Sequence, residues 1–80
     1  MNDTESPLMR LRTLRRISQA QMAEALGVSR QTISNWENGR VEPELKLWQI
    51  KKLCEILGVA IHELPDSFAP QPIHAPLEQN

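Results

Sequence analysis

A single residue, Val28, separates Gly27 from Ser29, and this short passage constrains the chain more than any other feature. Gly27 follows Met22, Ala23 and Leu26, which have helical apolar spacing. A residue just past a helix C-terminus needs positive φ, which glycine takes without strain. Ser29 suits a helix N-cap, because its hydroxyl can accept a hydrogen bond from a free amide of the first turn. One helix therefore ends and the next begins within two residues, and the two helices must cross steeply. The earlier helix opens with Ser18-Gln19-Ala20-Gln21, an S-x-x-Q capping box that satisfies two first-turn amides reciprocally. The later one carries Ile33, Trp36 and Glu37 on one face and Gln31, Ser34, Asn35 and Asn38 on another. Gly39 closes it.

The same punctuation predicts an all-α, compact bundle of four to five helices around this pair. A first helix is expected from about Leu8 to Arg15, with Ser6 as its cap and Pro7 in its first turn. Leu8, Leu11 and Leu14 or Arg15 would form its apolar stripe, and Ile17 would plug its end. A loop over 40–44, containing Pro43, leads to a fourth helix from roughly Leu47 to Leu57. Leu47, Ile50, Leu53, Cys54 and Leu57 make its stripe. Gly58 ends it, and Val59, Ile61 and Leu64 predict a short fifth helix that stops at Pro65. Trp48 lies off the fourth stripe, beside Lys51 and Lys52; it either packs on the loop or anchors a partner surface. Residues 1–6 read as a disordered N-terminus and residues 7–65 as the domain. Residues 66–80 are rich in proline and poor in apolar periodicity, and read as a mostly disordered tail.

Size and composition exclude several classes. Eighty residues make one domain at most, and a core of about 60 residues leaves little room for a pocket. The lone Cys54 excludes an internal disulfide framework and a zinc cluster; it fits a reducing cytoplasm and reads as a small core residue. His62 and His74 have no acidic or thiolate neighbours at metal-ligand spacing. The sequence shows no paired nucleophile and base, no glycine-rich phosphate loop and no acid pair, so neither catalysis nor a cofactor is expected. No apolar run approaches the roughly 20 residues that span a bilayer, and the acidic, polar start is not a secretory signal.

Charge is more informative in its distribution than in its sum of −1. All nine Lys and Arg lie between Arg10 and Lys52, while residues 8–59 hold only five of the ten acids. A basic middle between acidic ends suits a localised phosphate-binding face, and it suits solvated helix faces equally well. The outward face of the third helix tips the balance. Arg30, Gln31, Ser34 and Asn35 stand there, with neither Glu nor Lys among them. Arginine can bridge O6 and N7 of guanine, and Gln or Asn can bridge N6 and N7 of adenine. A face meant only for water usually mixes both charges. These side chains are therefore expected to read bases in a major groove. The amide-rich, positive N-terminal ends of helices suit phosphate oxygens. Gln19 is placed to hold one phosphate, and Asn38 with Arg40 another, which positions the reading helix without itself reading sequence.

The run SQAQMAEALGVSRQTISNWENGR resembles the lambda-repressor/Cro-type helix-turn-helix family, also called the XRE family. The resemblance covers about Leu8 to Leu64. It rests on coincident features: Ser18-Gln19, the small Ala23, the turn Leu26-Gly27-Val28-Ser29, Ile33, and the closing Glu37-Asn38-Gly39. It implies a lambda repressor-like DNA-binding domain and a sequence-specific transcriptional regulator of double-stranded DNA, with repression as the expected sign. It implies Gln19 as a phosphate clamp and Arg30 and Gln31 as the first base-reading positions. Thr32, Ser34 and Asn35 match positions that touch bases or phosphates, and Asn38 and Arg40 match a loop that grips the sugar-phosphate backbone. Arg12 and Glu37 match a structural ion pair. The resemblance further implies a homodimer on a palindromic operator, with recognition helices one turn, about 34 Å, apart. Such a protein works in the cytoplasm, on the nucleoid when bound to DNA. There are two departures. Arg16 stands where the family often has glycine, and the stretch from Pro43 to the fourth helix differs in length from the commonest pattern. The alternative reading is an antitoxin-type module of the same fold, whose Pro-rich tail would bind a toxin partner while the domain autoregulates its operon.

Overall fold

The computed structural model describes residues 4–72. Four α-helices follow one another: α1 (Pro7–Leu14), α2 (Gln19–Leu26), α3 (Arg30–Glu37) and α4 (Leu47–Leu57). A 3-10 turn over Ile61–Glu63 follows, where a fifth helix was expected, and its Ile61 is 64% exposed. Two two-residue strands, β1 (Thr4–Glu5) and β2 (Gln71–Pro72), pair antiparallel.

The first three helices start where the serines predict. Ser6 Oγ accepts from the Met9 amide at 3.2 Å, and Ser29 Oγ accepts from the Thr32 amide at 3.1 Å. At α2 the Ser18 hydroxyl accepts from the Gln21 amide at 3.0 Å, and Gln21 Oε1 accepts from the Ser18 amide at 2.8 Å. Gly27 takes the left-handed conformation with φ 70°, which makes the tight α2–α3 turn possible.

The core consists of Leu8, Met22, Ala23, Leu26, Ile33, Trp36, Leu53, Leu57 and Phe68. α2 lies against both α3 and α4, so its Met22, Ala23 and Leu26 sit at the centre. Leu11, Ile17, Val59 and Leu64 pack around that centre, partly buried. Two apolar stripes differ from expectation at one end. In α1 the buried residues are Leu8 and Arg12, and Leu14 is 72% exposed. In α4 the buried line runs through Gln49, Leu53 and Leu57, spaced four apart, and Leu47 at its side is 67% exposed.

The buried Gln49 has a structural reason. Lys46 at the N-cap of α4 has no side-chain acceptor to offer its helix. Gln49 Oε1 instead accepts from the Lys46 amide at 2.7 Å, while Gln49 Nε2 donates to the Leu26 carbonyl at 2.9 Å. One side chain thus closes the start of α4 and pins it to the end of α2. Both ends of its amide are satisfied, so its burial carries no desolvation penalty of an orphaned group.

The chain ends are also more ordered than their composition suggests. The tail expected from Asp66 does not hold for residues 66–72, nor the disordered N-terminus for residues 4–6. Phe68 is 5% exposed and packs beside Trp36, with ring centroids 6.0 Å apart and planes tilted by 51°. Ser6 Oγ donates to the Phe68 carbonyl at 2.8 Å. The burial of one large ring and the β1–β2 pairing offset the entropy of ordering this short segment. Residues 1–3 and 73–80 of the two expected tails lie outside the described residues.

Arg16, between α1 and α2, has φ 59° and is the one non-glycine residue at positive φ among those described. Left-handed backbone costs an L-residue about 1–2 kcal/mol; a glycine there removes that strain but loses part of the gain, because its unfolded chain is freer. Arg16→Gly is therefore expected to stabilise the domain by about 0.5–1 kcal/mol. A rise in the midpoint of urea unfolding would show it; a fall would mean that the arginine side chain holds something the strained backbone serves.

Candidate nucleic-acid interface

α3 is amphipathic in a way that fixes which side it presents. Ile33 is 0% exposed, and Trp36 and Glu37 are each 4% exposed. Burying that stripe leaves Arg30 and Gln31 exposed, with Thr32, Ser34 and Asn35 half-buried beside them. Asn38 and Arg40 continue the surface, exposed, just past the helix end. No acidic side chain of α3 shares this face, because Glu37 points into the protein.

The polar face is internally ordered. Gln31 Nε2 donates to Asn35 Oδ1 at 3.0 Å, one helical turn away. Asn38 Nδ2 donates to Ser34 Oγ at 3.2 Å, and the Ser29 and Thr32 hydroxyls lie 2.9 Å apart. Gln31 keeps its carbonyl oxygen and a second amide hydrogen, and Asn35 keeps both amide hydrogens. Those are the groups a bidentate contact to a base edge uses. The lateral bonds hold them in one orientation before any ligand arrives, which lowers the ordering cost of binding.

Behind this face stands a buried polar hub. Arg12 Nε and Nη2 donate to the two carboxylate oxygens of Glu37 at 2.8 and 3.1 Å, a forked pair. Arg12 Nη1 donates to the Ile17 carbonyl at 2.8 Å. Gln19 Nε2 donates to Glu37 Oε1 at 2.9 Å. One carboxylate therefore ties α1, the first turn of α2 and the last turn of α3 together. It also aims the Gln19 side chain, which stands at the start of α2 beside the end of α3.

Sequence reasoning places these residues on one side of the molecule and misses three connections. The Gln19–Glu37 bond joins two polar residues 18 positions apart, and such a link leaves no periodic trace. Gln49 lies off the apolar stripe expected for the fourth helix, and its spacing gives no sign that it is buried. Phe68 is the sole phenylalanine and stands in a segment without periodicity; its size was the one available signal. Among the described residues no group of three His, Cys, Asp or Glu can hold a metal ion, and no helix is long and apolar enough to cross a membrane.

Two crossed helices joined by a tight glycine turn, the second with a buried apolar stripe and a free polar face, define a helix-turn-helix module. The helix-turn-helix family model matches residues 8–64, and the chain belongs to that family, in its lambda-repressor/Cro-type (XRE) branch of DNA-binding regulators. It is 43% identical over 53 residues to the SPbeta prophage-derived uncharacterized HTH-type transcriptional regulator YonR of Bacillus subtilis, covering 66% of this chain and 47% of that protein. It is 42% identical over 53 residues to an uncharacterized HTH-type transcriptional regulator of Methanocaldococcus jannaschii, covering 66% of this chain and 77% of that one. It is 40% identical over 57 residues to the HTH-type transcriptional activator BcrR of Enterococcus faecalis, covering 71% of this chain and 27% of that one. The matched segment thus spans less than half of the Bacillus and Enterococcus relatives. No solved structure matches the chain.

Proposed function

We propose that this protein is a sequence-specific repressor of transcription that binds a palindromic operator as a homodimer, with α3 in the major groove. The observation that carries the reading is the ordered, acid-free polar face of α3. Arg30, Gln31, Thr32, Ser34 and Asn35 read base edges. Gln19 and, beside it just past the end of α3, Asn38 with Arg40 hold backbone phosphates and set the register. Two copies double the phosphate contacts of so small a domain and give operator-grade affinity. Repression follows from occupancy of a promoter; one relative is named an activator. The protein works in the cytoplasm, on the nucleoid. An antitoxin-type role would need the Pro-rich segment free to fold on a toxin, and Phe68 engages part of that segment in the core.

Enrichment of bound duplexes from a random pool tests the reading. The expected product is an inverted repeat with half-site centres about 10 bp, or a multiple of a helical turn, apart. Gln31→Ala is then expected to lose about 1–3 kcal/mol of discrimination at one or two base pairs of each half-site. A pool that yields no preferred sequence would sink the proposal. Equal weakening on all sequences would remove Gln31 from the base-reading set.

A further inference from the structure

The family match ends at residue 64, and the segment that follows lies against the end of the proposed recognition helix. Gly39 closes α3 with φ 75°, and a Cβ placed there would lie 3.0 Å from Ala69 Cβ and 3.4 Å from Pro70 Cδ. On its other side the turn is set by α3 itself, where the Gly39 amide donates to the Trp36 carbonyl at 3.2 Å and the Arg40 amide to the Asn35 carbonyl at 2.9 Å. Past Arg40 the restraints thin out. Val41 is 52% exposed, and a cleft of about 230 Å³ separates the loop around Val41, Glu42 and Pro43 from the segment around Pro65 to Ala69. Ala69 and Pro70 therefore form the wall against which the Asn38-Gly39-Arg40 turn rests.

That wall is anchored at both ends. Before it, Phe68 is buried beside Trp36, a residue of α3, and its carbonyl is held by Ser6. After it, Gln71 and Pro72 pair with Glu5 and Thr4. A two-residue stretch fixed on either side cannot step away from the glycine it touches.

We infer that Phe68 is a positioning residue for DNA binding: it fixes residues 67–72 as a strap that holds the Gly39 turn, and so presents Asn38 and Arg40 to the phosphate backbone. This inference rests on the DNA-binding reading given above. It makes the strap an addition to the family domain that prepays the ordering of two phosphate-contacting side chains. Base reading, which belongs to the outward face of α3, does not depend on it.

The test uses the full chain and the duplex selected from the random pool, at a temperature where circular dichroism shows each variant fully helical. Phe68→Ala is expected to weaken binding about ten- to a hundredfold, through the ordering cost that returns to Asn38 and Arg40. The slope of log affinity against log salt should also become shallower by about one per protomer, since one phosphate contact is loosened. Preference among base pairs should stay. Phe68→Leu, which keeps an apolar filler, should restore most of both. The double variant Ala69→Gly, Pro70→Gly leaves Phe68 in the core and should move affinity and slope in the same direction; it decides the matter if Phe68→Ala does not fold. A merely structural role would lower the folded fraction and leave the slope unchanged. Wild-type slope and affinity in the double variant would overturn the strap inference alone. A wild-type protein without a preferred duplex would overturn the DNA-binding reading and the strap inference with it.

Discussion

Glu37→Ala is expected to remove about 3–5 kcal/mol of folding stability, the usual result of breaking a buried ion pair from one side. The Arg12 and Glu37 side chains are 9% and 4% exposed, so water cannot take over the lost contacts. The substitution leaves two guanidinium donors of Arg12 unmatched and frees the amide of Gln19. A chain of this size has only about 5 kcal/mol to lose, so the variant should be largely unfolded at 25 °C, as urea titration followed by circular dichroism would read directly. The pair Arg12→Met with Glu37→Leu should recover most of the loss, because replacing both partners by apolar groups removes the desolvation problem together with the charges. A loss below about 1 kcal/mol for Glu37→Ala would place the pair among surface bridges and contradict its burial.

The second large effect concerns the C-terminal segment. Removal of residues 66–80 is expected to cost at least about 3 kcal/mol, the lower end of the range for truncating a buried phenylalanine to alanine. For a domain of this size that corresponds to a fall in Tm of at least about 12 °C. Trp36 would lose its aromatic neighbour, and its emission should shift to the red in the truncated chain. An unchanged Tm would mean that Phe68 packs without contributing, and that the domain does end at Pro65.

Reading from residues to structure works best where one residue type has one physical use. Ser6, Ser18 and Ser29 each cap the helix they precede, and Gly27 takes the conformation its position demands. Helix boundaries follow from these within a residue. The outward face of α3 is legible for a related reason: Ile33 and Trp36 must go inward, which leaves Arg30, Gln31, Ser34 and Asn35 no other side. Periodicity is weaker at helix ends, where a stripe can run past the neighbour it packs on, as at Leu14 and Leu47. It carries no information on a lone ring such as Phe68, whose partner is 32 positions away. Polar hubs are the least legible. Nothing in the spacing of Arg12, Gln19 and Glu37 reveals three hydrogen bonds on one carboxylate; the Arg12–Glu37 contact was reachable through resemblance alone.

Gln49 has a consequence for how this fold tolerates change. Because its amide attaches the first turn of α4 to the last carbonyl of α2, the place where α4 begins is decided by a neighbour and not by the length of chain that leads to it. The passage from Val41 to Glu44, mostly exposed, then lies between two fixed posts. Residues gained or lost there are expected to leave both helices in place.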